Sequence, residues 1–506
     1  MKKQIYAAFA LSLVLGMTSC SKDETPDANG MGSAETVAIS NDTISTTAIN
    51  QKIFDHNATQ GVYNWKQATP VELWSAVIAG HNLVSIGYGS HEKDVDRAAS
   101  ENGPAFRTRI LELVAKMEGK SVKDILIYES EDLNLMDVKI DKKATFEALL
   151  AAEGTRYIEP AAYEVYANKS QYQVNSSGGS GCGYNTSTLP AADYTTVTPN
   201  AKVPWNFYKH SIPSAWAQST GAGVTIGVVD TGLSSEQTLM NGSFNSGASS
   251  GRSVVRYGVF VDSFWDSATE TDGINDLCGH GTSMSSIATA PRNNAGMPVG
   301  VAYNSSLIVF RAAKNVVLDS YHEQVGVETA FTRLANTTRV KIISMSMGHI
   351  FSVGRISDAL IYAYGKGKMI FCAGGTSTSF TNFVGVIFPA SMPEAIAVTG
   401  IKDSTTFTEC DVCHKGAKID FAVVMERASN GNTVPTLSYY NGQANYVGGS
   451  SVATATSAGI AALVWAKNPT WTRAQVLAKM KASATYPTTR DAKFGHGIVN
   501  VLKAVQ

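Results

Sequence analysis

Between Val447 and Ala466 the chain reads VGGSSVATATSAGIAALVWA, with no charged side chain until Lys467. A helix that is small and apolar on every face is stable in water only when it is buried. The stretch therefore predicts a central, fully enclosed helix. Its mouth is polar: Gly448 and Gly449 precede Ser450 and Ser451. A serine at a helix start caps an orphan backbone N–H. It also sits at the positive end of the helix dipole, where a developing negative charge is stabilised. Taken alone, the stretch reads first as a structural cap, with a reactive serine as the alternative.

The chain has 506 residues, more than one ordinary domain holds, and 44% apolar against 16% charged residues suits a large core. A net charge of −1 gives no electrostatic case for nucleic acid. Lys2 and Lys3 precede an apolar run, IYAAFALSLVLG, too short for a permanent span. Small residues then lead to Cys20. This resembles a bacterial lipoprotein signal over 1–20, with Cys20 lipidated, and SKDE after it resembles a surface-export tag. The expectation is an exported outer-membrane lipoprotein, exposed at the surface and held to the membrane by lipid alone. The alternative is an ordinary signal peptide with a chance cysteine. Residues 21–68 read as a flexible tether, rich in Ser, Thr, Asn, Asp and Gly.

Regular patterning starts at Thr69. In TPVELWSAVIAG, Thr69 caps, Pro70 takes the first helical position, Glu72 completes a capping box and Gly80 stops the helix. NLVSIGYG, AFRTRILELVAKMEG, DILIYES, LNLMDVKID, KKATFEALLAAEG and TRYIEP then read as β-α-β-β-α-β. That is a small α+β unit of split βαβ, ferredoxin-like type over 69–168. SSGGSGCG, Ser176 to Gly183, breaks the chain, so 169–204 reads as a linker and processing region.

Three motifs follow in the order Asp, His, Ser. GVTIGVVDTG is a buried strand ending at Asp230, and sites in open α/β sheets form at that edge. CGHGTSMSSIA sets His280 between glycines at a helix entrance. The opening stretch supplies the serine. Capping and a buried structural histidine are the bland readings of each motif alone. The order is that of subtilisin. From about Trp205 the chain resembles a subtilisin-like serine protease. The likeness rests on SAWAQSTGAGVTIGVVDTG, GHGTSMSSIA, IISMSMG (Ile342 to Gly348), GSSVATATSAGIAALV and FGHGIVNVLKAV. RYIEP (Arg156 to Pro160) resembles the end of the inhibitor-type propeptides that precede such proteases.

The resemblance implies an α/β fold over 205–506, a mostly parallel sheet with helices on both faces, behind a small prodomain. It implies a serine endopeptidase made as a zymogen. Its partners would be a peptide or protein substrate and its own propeptide as inhibitor. Ser451 would be the nucleophile, His280 the base and Asp230 its orienter. Ser346, Met347, Gly348, Ala373 and Gly374 would contact substrate. The family's oxyanion asparagine is missing: Gly375 stands in its place in MIFCAGGTSTSF. Thr376, Ser377 or Asn382 would be the substitutes nearby. Ala455 and Thr456 replace the usual Pro-His after the nucleophile. The alternative reading is a weakened or self-processing-only subtilase used as a surface binder. No cofactor is required; calcium is common in the family, and DSATETDGIND (Asp266 to Asp276) is the candidate loop. Beyond Cys20 the cysteines are Cys182, Cys278, Cys372, Cys410 and Cys413. ECDVCH reads as a loop disulfide rather than zinc, because no second pair stands at zinc spacing. Cys278 reads as a buried thiol or a disulfide half, and the odd count leaves one thiol over.

Overall fold

Every residue from Thr225 to Asp230 is buried, as expected of a strand covered on both faces. It lies inside a seven-stranded sheet of the computed structural model, which describes residues 43–166, 182–375 and 385–506. The spatial order is Ile419–Glu426, Ala395–Lys402, Met369–Ala373, Val340–Met345, Thr225–Asp230, Ser306–Arg311 and Val254–Gly258. All of these strand pairs are parallel. Neighbouring residues along a strand face opposite ways, and the two cores follow that alternation. Ile226, Val228, Leu307, Val309, Ile342 and Phe371 pack with the Gly449–Lys467 helix. Val229, Ile308, Phe310, Ile343 and Ile370 pack with the Tyr321–Asn336 and Gly354–Gly365 helices. The fold class is the expected α/β one. The Gly449–Lys467 helix is long and apolar enough to cross a membrane, but it is almost wholly buried and is a core helix.

The small α+β layer forms a four-stranded sheet ordered Leu126–Glu129, Leu135–Lys139, Leu83–Tyr88, Thr155–Pro160. The helices Gly103–Glu118 and Lys143–Leu150 complete the split βαβ arrangement. The Pro70–Ala79 helix has the expected capping box between Thr69 and Glu72.

Two expectations about boundaries are corrected. Residues 21–68 are not all tether: Thr46–Gln60 is a helix capped by Ser45, with Ile49, Ile53 and Asn57 buried. Its apolar stripe is one residue wide, so average composition hides it. Likewise 169–204 is not all linker. Cys182 is disulfide-bonded to Cys278, and Tyr194–Val197 pairs with Ala201–Pro204.

The small layer packs onto the two helices of the second core. Arg156 pairs with Asp358 at 2.5 Å, both side chains about 3% exposed. Tyr157 donates its hydroxyl to Asp358, and Glu159 accepts from the Gly354 N–H at the helix start. Beside them Arg355, fully buried, pairs with Asp137 and Glu328. Tyr321 and Tyr128 donate to the same two carboxylates. The RYIEP motif is thus part of an interface within the chain.

Candidate active site

Asp230 ends its strand at the carboxyl edge of the sheet, where His280 opens the His280–Thr289 helix. Gly279 before it holds φ +87°, a left-handed turn that a β-carbon would strain. Gly281 lets that helix press against the Gly232 backbone. The result is a hydrogen bond of 2.7 Å between His280 Nδ1 and Asp230 Oδ1, both residues buried. Asp230 Oδ1 also accepts from the Thr231 N–H at 2.8 Å, while Oδ2 has no partner among the described residues. Burial works against the imidazolium, but the Asp230 carboxylate outweighs it and holds the His280 pKa above the usual histidine value. A base must be neutral to take a proton, so activity that depends on His280 falls as pH drops through that raised value.

Asp276 was the last residue of the candidate calcium loop. Its carboxylate caps the histidine helix. Oδ1 accepts from Cys278 N, Gly279 N and Thr231 Oγ1, and Oδ2 from the N–H and hydroxyl of Thr282. Asp272 of the same loop pairs with Arg311. Among the described residues no group of three or more His, Cys, Asp or Glu side chains is placed to hold a metal.

The two serines of the central helix separate clearly. Ser450 Oγ lies 3.4 Å from Thr399 Oγ1. Ser451 faces the Val340–Met345 strand end: Ser451 Oγ donates to Ser346 O at 3.5 Å, and Ser346 Oγ donates to Ser451 O at 3.2 Å. Among the described residues Ser451 Oγ has no hydrogen bond to His280. Such bonds are often long in sites without substrate.

The expected substrate edge is narrower than the motif implied. Gly348 N donates to Val316 O, and Gly348 O accepts from Leu318 N, so its N–H is already engaged. Gly374 is also paired, its N–H to Val398 O and its carbonyl to Ile387 N. Ala373 lies in the sheet opposite Val398, and Met347 is buried.

Thr376, Ser377 and Asn382 lie outside the described residues, as do Cys20 and the rest of 1–42. Gly375 is described, and its surroundings are unexpected. A β-carbon built there would overlap the His414 imidazole, nearest Cδ2, Cγ and Nε2. His414 is 3% exposed and follows directly on a Cys410–Cys413 disulfide. Cys278 is a disulfide half, one of its two readings, but its partner Cys182 was not foreseen; the bond staples the 169–204 region to a point two residues before His280. Cys372 is the free thiol among the described residues, and burial pushes its pKa up to about 12.

The profile of the subtilase family, Peptidase_S8, matches residues 221–497. Subtilisin E of Bacillus subtilis (strain 168) is 29% identical over 308 residues, 60% of this chain and 71% of that protein. Alkaline elastase YaB of Bacillus sp. (strain YaB) is 30% identical over 311 residues, 61% of this chain and 72% of that protein. Among solved structures, fervidolysin from Fervidobacterium pennivorans, described as a keratinolytic enzyme related to subtilisin, aligns with a TM-score of 0.56. The alignment covers 84% of this chain and 61% of fervidolysin at 15% identity, which speaks to the fold alone. With more than half of its length inside the family profile, the chain belongs to the subtilase family of serine proteases.

Proposed function

We propose that this chain is an exported, lipid-anchored serine endopeptidase, made as a zymogen, that cuts peptide bonds with Asp230, His280 and Ser451. Ser451 Oγ attacks the peptide carbonyl while its proton passes to His280 Nε2. His280 returns that proton to the leaving amine, and water then releases the acyl group from Ser451 by the same route. Asp230 keeps the Nδ1–H tautomer and stabilises the imidazolium. The Ser451 N–H, an orphan donor in the first turn of the helix, faces the developing oxyanion. Residues 69–168 act as the inhibitory prodomain, and a cut in 169–204 frees the protease. Cys20 carries the lipid.

The observation that carries the reading is the buried 2.7 Å bond between His280 and Asp230, at the sheet edge where the Ser451 helix begins. What supports the prodomain role is the contact of Arg156, Tyr157 and Glu159 with the Gly354–Gly365 helix.

The test is to purify the exported protein and sequence its N-terminus. A cut between about 160 and 200, absent in Ser451→Ala, is expected, and so is a fluorophosphonate adduct on Ser451. An adduct on Ser450, or a cut that survives Ser451→Ala, overturns the assignment. A cut without hydrolysis of added peptides marks a single-use protease.

A further inference from the structure

Subtilases usually place an asparagine side chain at the oxyanion, and Gly375 has none to offer. We propose that the His414 imidazole supplies that donor, through its Nε2–H. This rests on Ser451 being the nucleophile.

The argument begins with space. The ring occupies the place of a Gly375 side chain, with Nε2 among the atoms a β-carbon there would meet. In asparagine, standard bond lengths put the amide nitrogen roughly 2.4 Å from its own Cβ. His414 Nε2 lies about that far from the Gly375 Cβ position, so the donor returns on a different stem. The sheet brings this point to the catalytic edge. Met345 pairs with Cys372, so the continuations Ser346–Gly348 and Ala373–Gly375 run on together. Ile387 ties them, bonding Gly374 O through its N–H and resting its side chain against Gly348.

The histidine is also held. Thr399 Oγ1 donates to His414 O and lies 3.4 Å from Ser450 Oγ, next door to Ser451. The Cys410–Cys413 disulfide closes the turn just before the ring. Cys410 packs with Met284 and Ile287 of the His280 helix and with Val452 and Ala455 of the Ser451 helix. One small cluster therefore fixes the turn to both catalytic helices. A preorganised donor, aimed before charge develops, is what an oxyanion site requires. His414 keeps its proton throughout; it makes a hydrogen bond that strengthens in the transition state. The ECDVCH motif thereby gains a use, as the mount of this ring.

The experiment uses the full exported chain and an activated peptide ester, with kcat, KM and thermal melts for each variant. His414→Ala should lower kcat about 10²–10³-fold with little change in KM, the effect of losing one such donor. His414→Gln keeps a side-chain N–H and should recover about tenfold or more over His414→Ala. Gly375→Asn alone should fail, because its side chain collides with the ring. Gly375→Asn with His414→Gly should regain activity that His414→Gly lacks. A folded His414→Ala with kcat within about threefold of wild type overturns the assignment. So does a His414→Gln no better than His414→Ala, which marks a merely structural ring. If His414→Ala does not fold, the double variant decides: folded and inactive, it overturns the proposal. Ser451→Ala separates the two readings. Turnover that survives it overturns the nucleophile and this assignment together. Turnover that needs Ser451 but ignores His414 overturns this assignment alone.

Discussion

Two of the places where charges are buried are built differently. At the catalytic corner, Asp230, Thr231, Asp276, Gly279, His280 and Thr282 hydrogen-bond to one another, and all of them belong to the large layer. Nothing that cuts the chain near residue 170 removes a partner from that set. At the contact with the small layer only the Arg355–Glu328 pair lies within one half, and the other compensations cross between the small layer and the large one. Arg156 meets Asp358, Asp137 meets Arg355, and Ser130 and Tyr128 meet Glu328. A buried ion pair adds little net stability, but removing one partner costs about 3–5 kcal/mol. The corner is therefore permanent. The contact draws its partners from both halves.

Four changes break or sharpen this contrast. The largest effect is expected at the corner. Asp230→Asn should lower kcat about 10⁴-fold, because the wrong histidine tautomer is then held. Attachment of the small layer should be untouched. Steady-state hydrolysis measures it, and a loss under about tenfold would mean that Asp230 does not orient His280.

Next comes the contact. Arg355→Ala strands Asp137 and Glu328, both fully buried. In protein nicked within 167–181, the small layer should dissociate about 10²-fold more readily or worse, from the 3–5 kcal/mol above. Unchanged dissociation by ultracentrifugation would show that the charges are not the latch.

Proton linkage gives a smaller effect. Burial raises Glu159 from 4.5 to about 7, and Glu328 likewise. Each is higher when packed than when solvated, so packing takes up protons. The contribution is fully present below about 4.5 and is lost as pH rises through about 7. Dissociation should therefore increase up to about tenfold per pH unit per group in that window. Glu159→Gln should flatten the profile. An affinity that instead rises with pH would contradict the burial argument.

The smallest change tests a local feature of the small layer. Thr69→Ala removes the cap of the Pro70–Ala79 helix and should cost about 1 kcal/mol in a denaturant melt. A loss of several kcal/mol would show that this helix end supports the contact as well.

Much of this architecture was legible in the residues. The capping box at Thr69, the β-α-β-β-α-β order, the strand ending at Asp230 and the buried helix after Ser451 all rest on signals a few residues long. Periodicity and capping act over a turn or a strand, so a sequence displays them directly. The Asp and His positions followed, because their motifs carry their own glycines and local hydrogen bonds. The Thr46–Gln60 helix escaped for the opposite reason: its stripe of Ile49, Ile53 and Asn57 is meaningful only against a surface that other segments build. The pairing of Cys182 with Cys278, the closure of Gly348 on Val316 and Leu318, and the ring of His414 over Gly375 are of the same kind. Each joins residues distant in the chain, and neither residue type nor spacing specifies which distant neighbour will arrive. Only packing the strands in register, with the helices pressed onto both faces, sets those distances.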